Sequence, residues 1–327
     1  MDTTQKSLRV EQPFGKVSLQ FLSRYWIFIA LVVLIVAFSL LSDSFLSKIN
    51  LLNILRQVSI IGICAVGMTM VILTGGIDLS VGSMIGVSGM ACALMLQAGI
   101  PPVLAVFLTL VMGLGFGGIT GLLINKIHIP PLIATLGLMT ALRGVAYILN
   151  GGLPIYGIPE SVKFLGQGWV FGIPFPVILM IAVFVLGYVL LNKTAFGRHL
   201  YGTGGNEEAS RLSGVNVEKL KTKVYLLAFF LSTFAGIVLM ARVNSGQPRG
   251  GTGYEMDIIT AVVLGGVSIM GGSGRLMGVI AGVMIMGVLS NGMILLNIDE
   301  YVQWVVKGLV LLVAVGLDQL SNHKSEQ

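Results

Sequence analysis

Charge is scarce in this chain. Asp, Glu, Lys and Arg make up 10 % of its 327 residues against 55 % hydrophobic ones, and the mean hydropathy is +0.93. A soluble domain carries about 25 % charged residues, so the two soluble domains suggested by length alone are excluded and a polytopic membrane protein is expected. Cysteine is nearly missing. Cys64 and Cys92 both fall in apolar runs without metal-ligand spacing and read as small core side chains. His128, His199 and His323 are scattered, with no carboxylate or cysteine at ligand spacing, so neither a metal site nor a nucleophilic triad is expected. Acids are sparse inside the apolar runs, where Asp78 is the one acid near the interior of the first half. A proton- or sodium-coupled carrier places acids in several helices, and an intramembrane enzyme needs a nucleophile and base or two carboxylates. Neither set is found, and no catalytic residue is assigned. No Gly-Lys-Ser/Thr follows the glycine-rich turns, so the chain does not hydrolyse ATP by itself.

What is present is a series of apolar runs near the length, about 20 residues, that a bilayer core requires. They lie at 25–41, 58–74, 81–97, 102–125, 132–149, 176–192, 224–241, 258–270, 275–296 and 301–317, ten in all, giving an all-α polytopic fold. The polar stretch 1–24 forms an N-terminal tail, 25–318 the membrane domain and 319–327 a short C-terminal tail. The first run follows a long polar segment without a convincing small-residue cleavage site and reads as a retained helix. Residues 45–57 have apolar positions at helical spacing with Lys48 and Arg56 among them, and read as an interfacial helix. Residues 150–175 form a Gly- and Pro-rich loop whose Tyr156 and Trp169 are typical interface residues. Gly113, Gly117 and Gly121, and again Gly274, Gly278 and Gly282, recur every four residues, which lets a neighbouring backbone approach closely.

The one long polar interruption is 193–223, with Lys193, Arg198, Arg211, Lys219, Lys221 and Lys223 among its residues. Alternating the loops from a cytoplasmic N-terminus places these six, the tail's Lys6, Arg9, Lys16 and Arg24, and Lys126, Arg275 and Lys324 on one side. Lys48, Arg56, Lys163, Arg242 and Arg249 fall on the other. Thirteen against five supports N-in, C-in topology. The net charge of +6 is thereby accounted for by orientation in a bilayer, not by nucleic-acid binding. Within the loop, Asn206 is a helix-capping residue, Glu207 and Glu208 occupy a first turn where the helix dipole favours them, and Gly214 stops the helix after Arg211. The segment is either a solvated connector or a docking helix for a soluble partner.

Three further features stay open on the residues alone. Gly75, Gly76, Asp78, Ser80 and Ser83 form either a tight cytoplasmic turn with a capped helix or a break at membrane depth beside a solute pathway. Gly265, Gly266, Gly271, Gly272 and Gly274 pose the same question in the second half, and 71–89 and 261–282 share a faint internal likeness of the kind duplicated transporters show. Arg143 and Lys307 lie within apolar runs, either snorkelling to the interface or paired with Glu255, Asp257, Asp299 or Glu300.

The motifs GGIDLSVGS (75–83), GGNEEASRLSGVNV (204–217), SGQPRGGTGYEMD (245–257) and AVVLGGVSIMGGSGR (261–275), in this order, closely resemble the ribose-type monosaccharide permeases of bacterial ATP-binding-cassette importers, over about residues 25–318. The resemblance implies the ABC importer permease fold and residence in the bacterial inner membrane. It implies no cofactor in this chain, with ATP and Mg on a partner ATPase. The implied partners are that cytoplasmic ATPase, a periplasmic sugar-binding protein and a second permease copy forming a homodimer. By similarity, Gly205, Asn206, Glu207, Glu208, Ala209, Ser210, Arg211, Leu212 and Gly214 would form the ATPase-coupling segment, with Glu208, Arg211 and Gly214 foremost, and the two glycine-rich segments would be pathway or gate elements. The cargo would be a pentose or hexose, with a furanosyl signalling molecule or a stand-alone ion-coupled carrier as the alternatives.

Overall fold

The computed structural model describes residues 14–325. The chain opens with α1 (Phe14–Leu41) and α2 (Lys48–Leu73), continues through α3 (Val81–Gln97), α4 (Pro102–Asn125) and α5 (Pro131–Ile148), and reaches the short α6 (Glu160–Gln167). A ribbon of β1 (Trp169–Val170) and β2 (Ile173–Pro174) precedes α7 (Phe175–Lys193). Then come α8 (Ala195–Gly205), α9 (Glu207–Leu212), α10 (Val217–Val243), α11 (Tyr254–Leu264), α12 (Leu276–Leu295) and α13 (Glu300–Ser325). Among the described residues, six helices are long and apolar enough to cross a membrane (α2, α4, α5, α7, α10 and α12), and Ile27–Leu41 and Val81–Gln97 are shorter apolar helices.

The local reasons are those of helix termini. Pro102, Pro131 and Pro176 sit in the first turns of α4, α5 and α7, where the missing N–H costs nothing. Ser47 caps α2 by accepting the Asn50 N–H at 3.3 Å. The centre of the bundle is α2, 83 % buried over its apolar window, with α12 at 72 % and α10 at 67 %. At the rim, α4, α5 and α7 bury only 22–33 %, so their outer faces are left for lipid or another subunit. Small residues set the closest crossings. A Cβ at Gly113, Gly117 or Gly121 would collide with Thr233, Leu226 and Thr222 of α10, and one at Gly278 or Gly282 would collide with the backbone of Gly265 or Ala261 at α11. Packing is thus the role of both four-residue repeats. Asn50 and Asn291 exchange two hydrogen bonds of 2.9 Å, tying α2 to α12, and Cys64 and Cys92 are buried free thiols.

Several sequence expectations change. Residues 45–57 are not a separate interfacial helix. No Gly or Pro follows Arg56 before the apolar run, so the helix from Lys48 continues unbroken to Leu73. The run at 258–270 is not helical throughout either. The helix stops at Leu264, and its 11 residues rise about 16 Å, half a hydrocarbon core. The 150–175 loop is partly ordered as α6 and the ribbon, with the Arg56 guanidinium 4.7 Å from the Trp169 ring centroid. Of the polar N-terminal tail, 1–13 lie outside the described residues and 14–24 are helical; of the C-terminal tail, α13 takes all but 326–327.

Candidate functional site: a coupling junction and a charged cavity

At one end of the bundle the basic loop is almost wholly helical, because three side chains cap three successive helices. Thr194 Oγ1 accepts the Gly197 N–H at 3.4 Å, Asn206 Oδ1 the Ala209 N–H at 2.8 Å, and Asn216 Oδ1 the Lys219 N–H at 2.9 Å. The 206–214 helix read from the sequence is present as α9. Gly214 adopts φ +85°, and the Val215 N–H returns to the Ser210 carbonyl at 3.1 Å, closing the helix. The sequence reading missed α8, which it left within the polar loop 193–223.

The orientation of α9 is fixed by Glu207. Its carboxylate bridges Arg211 at 3.1 Å and Lys221 of α10 at 2.6 Å, and the hydrogen bond from Lys221 holds its pKa below the usual carboxylate range. Ser210 is buried, whereas Glu208, Ala209 and Arg211 are exposed and Leu212 is 81 % exposed. The outer face of α9 therefore offers an acid, Glu208, with no partner among the described residues, a guanidinium and an apolar side chain.

Behind α9 the two glycine-rich segments meet. The Gly272 N–H donates to the Leu73 carbonyl at 3.0 Å, at the end of α2. Gly204, the penultimate residue of α8, fits so tightly between these two groups that a Cβ would overlap both the Leu73 carbonyl oxygen and the Gly272 nitrogen. A Cβ on Gly271 would stand 2.9 Å from the Gly75 nitrogen, and one on Gly272 would stand 2.5 Å from the Gly205 nitrogen. Tyr201 of α8 donates to the Gly274 carbonyl at 3.1 Å. Gly75, Gly271, Gly272 and Gly274 all have positive φ. Three backbones are thus stacked without intervening side chains, and α8 links that stack to α9.

From Gly75, which is exposed, the chain turns back into the protein, and Gly76, Asp78, Ser80 and Ser83 are buried. Asp78 Oδ1 accepts from the Ser80 N–H at 2.8 Å and the Ser80 hydroxyl at 2.5 Å, which satisfies the backbone where α3 starts. Thr135 of α5 closes on the Ile77 carbonyl at 3.1 Å. Gly265 packs on Val279 and Gly278 of α12, and Gly266 turns with φ +82°.

Toward the other end lies a cavity of about 520 Å³ bounded by α2, α5, α11, α12 and α13. Gln57, on its wall, is roughly 24 Å along α2 from Leu73. Here Arg143 pairs with Glu255 at 3.3 Å, and Lys307 with Asp257 at 2.8 Å. The interfacial-anchor alternative for these two cations is therefore replaced by pairing, with α11 supplying both acids from its first turn. Asp299 instead takes the Tyr301 N–H. The spacing of 112 and 50 residues between partners left no sequence signal for the choice.

A bundle of apolar helices interrupted by glycine-rich turns, with buried paired charges, fits a transport permease. Residues 50–315 match the family described as branched-chain amino acid transport system / permease component. The ribose import permease protein RbsC of Bacillus subtilis (strain 168) is 48 % identical over 294 residues, 89 % of this chain and 91 % of that protein. Its counterpart in Escherichia coli (strain K12) is 45 % identical over 294 residues, covering 89 % and 92 %. The L-arabinose transport system permease protein AraH of Escherichia coli (strain K12) is 39 % identical over 296 residues, covering 90 % of each. No solved structure matches. The chain belongs to this family, among its ribose-type monosaccharide ABC permeases, multi-pass proteins of the bacterial inner membrane.

Proposed function

We propose that this chain is the membrane subunit of an ATP-driven monosaccharide importer, with ribose as the first candidate cargo from the names of its relatives. In this reading the chain crosses the membrane about ten times, α11 and the glycine loop after it together making one crossing, with N-in, C-in topology. A separate cytoplasmic ATPase with ATP and Mg docks on α9, a periplasmic binding protein delivers the sugar, and a second copy of the chain completes the pathway. The observation that carries the reading is α9. It is a capped six-residue helix, pinned by Glu207 to α10, turned outward through Glu208, Arg211 and Leu212, and backed by the three-way glycine stack. A mere connector has no need of that rigidity. Closure of the ATPase pair moves α9 and α8, and the stack passes the movement to the ends of α2 and α11.

The test is uptake into vesicles containing the chain, its ATPase and its loaded binding protein. Glu208→Ala with Arg211→Ala is expected to abolish uptake and the ATPase stimulation by loaded binding protein, with membrane insertion unchanged. Unimpaired uptake in the double variant, or ATP-independent uptake by the chain alone under an ion gradient, overturns the reading.

A further inference from the structure

We infer that the cavity between α5, α11, α12 and α13 is a low-affinity subsite for a neutral polyhydroxylated ligand, which Asp257, Ser290 and Trp304 hold directly. The inference rests on the importer reading and assigns the place where the cargo halts within the membrane. Three observations carry it. First, the volume of about 520 Å³ falls within the range of about 300–1,000 Å³ found for small-molecule sites. Second, its buried polar groups are incompletely satisfied. Asp257 is 2 % exposed and pairs with Lys307 through Oδ2, while Oδ1 has no partner among the described residues; Ser290 is also 2 % exposed, and its hydroxyl has none among them either. An unsatisfied buried oxygen costs about 1–3 kcal/mol, and a ligand hydroxyl would remove that cost by donating to Asp257 or accepting from Ser290. Third, Trp304 on α13 borders the same space and is 51 % exposed, offering an indole face to the C–H side of a sugar ring.

Charge decides the ligand class. Asp257 is neutralised by Lys307 and Glu255 by Arg143, so the two pairs carry no net charge to hold an ion, Glu300 alone adds a further charge to the wall, and each pair keeps donors and acceptors side by side. A sugar hydroxyl both donates and accepts and fits such a wall. Binding there stays weak enough for release, because Asp257 already has one partner and competes for the ligand only through its second oxygen. Glu255 serves as a positioning residue: its Oε2 lies against Gly82 of α3, where a Cβ would collide with it, and it holds the Arg143 side of the wall.

The test uses the full chain in lipid nanodiscs with D-ribose as the probe, read by saturation-transfer NMR against empty nanodiscs, with L-arabinose and sodium chloride in parallel. A saturable ribose signal in the millimolar range is expected, about tenfold weaker in Ser290→Ala and in Trp304→Leu, the loss of one hydrogen bond or one stacking face. The double variant Asp257→Asn with Lys307→Gln, which keeps a neutral hydrogen-bonded pair and so avoids an unpaired buried charge, is expected to lose the signal at an unchanged melting temperature. A wild-type signal no greater than empty nanodiscs, equal signals in all variants, or saturation by sodium without sugar overturns the inference. If the assembled transporter imports ribose while any of these holds, the subsite falls and the importer reading stands; if the assembled wild-type transporter imports no sugar, the importer reading itself falls.

Discussion

Replacing Gly204 with alanine isolates the mechanical role of the glycine stack. Gly204 is helical, without positive φ, so alanine is conformationally acceptable and by propensity alone would stabilise α8 by about 0.5–1 kcal/mol. The space is what forbids it. The new Cβ would overlap two backbone atoms, the Leu73 carbonyl oxygen and the Gly272 nitrogen, which are themselves hydrogen-bonded at 3.0 Å. No flexible side-chain end is there to yield, so the three backbones must part by about an ångström, at an overpacking cost of about 1–3 kcal/mol. That cost falls on the state in which α8 is docked, and displaces the equilibrium between docked and parted states about tenfold for each 1.4 kcal/mol. The assay is sugar-stimulated ATPase activity and uptake in reconstituted vesicles. Gly204→Ala is expected to lower uptake at least tenfold and to uncouple hydrolysis from the loaded binding protein, with normal insertion and assembly. Gly202→Ala is the control, because its Cβ would meet only the Ser210 hydroxyl at an ordinary 3.4 Å. Wild-type uptake and stimulation in Gly204→Ala would refute the reasoning.

The cavity pair makes a stability prediction. Lys307→Met leaves Asp257 buried beside an apolar side chain and is expected to cost about 3–5 kcal/mol, read as a lowered melting temperature in detergent, with Asp257→Leu in the same chain recovering most of it. The latch between α9 and α10 has a pH signature. Because Lys221 depresses the Glu207 pKa, its contribution is full above the ordinary carboxylate pKa of about 4.3 and is lost only as pH falls through the depressed value. Amide exchange in α9 should therefore be pH-independent from about pH 8 to 5 after correction for intrinsic rates, and accelerate only in stronger acid; faster corrected exchange near neutrality would contradict the latch. Leu212→Asp alters a side chain that is 81 % exposed, so the chain's own stability is expected to change by less than about 0.5 kcal/mol. Its affinity for the ATPase should drop about tenfold in a pull-down titration, the loss of one apolar anchor.

Helix caps and prolines act within a few residues, which is why α9 was legible in full. Asn206, Glu207, Arg211 and Gly214 state its start, dipole preference and stop in nine positions. By contrast α8 was hidden, since a helix containing four glycines is held by capping at Thr194 and by the packing of Gly197 and Gly204 against α7 and α2, not by propensity. For 258–270 the failure is different. Hydropathy reports which residues an environment tolerates and not the backbone they adopt, so Val267–Met270 looked like membrane span while belonging to a glycine loop that buries Val267 and exposes Met270.

Composition and periodicity by themselves determined that this chain lives among apolar helices, where its polar loop breaks the series, and that its repeated glycines are packing surfaces. Those are properties of a residue and its near neighbours, fixed by the need to keep charge and open backbone out of hydrocarbon. Only the tertiary structure decided that Arg143 belongs to Glu255 and Lys307 to Asp257, that α11 stops halfway with its acids in a cavity, and that Gly75, Gly204 and Gly272 meet in one stack. Charges and backbones separated by 50 residues or more find one another through the packing of whole helices, and that packing is the sum of many weak contacts that no single stretch of sequence encodes.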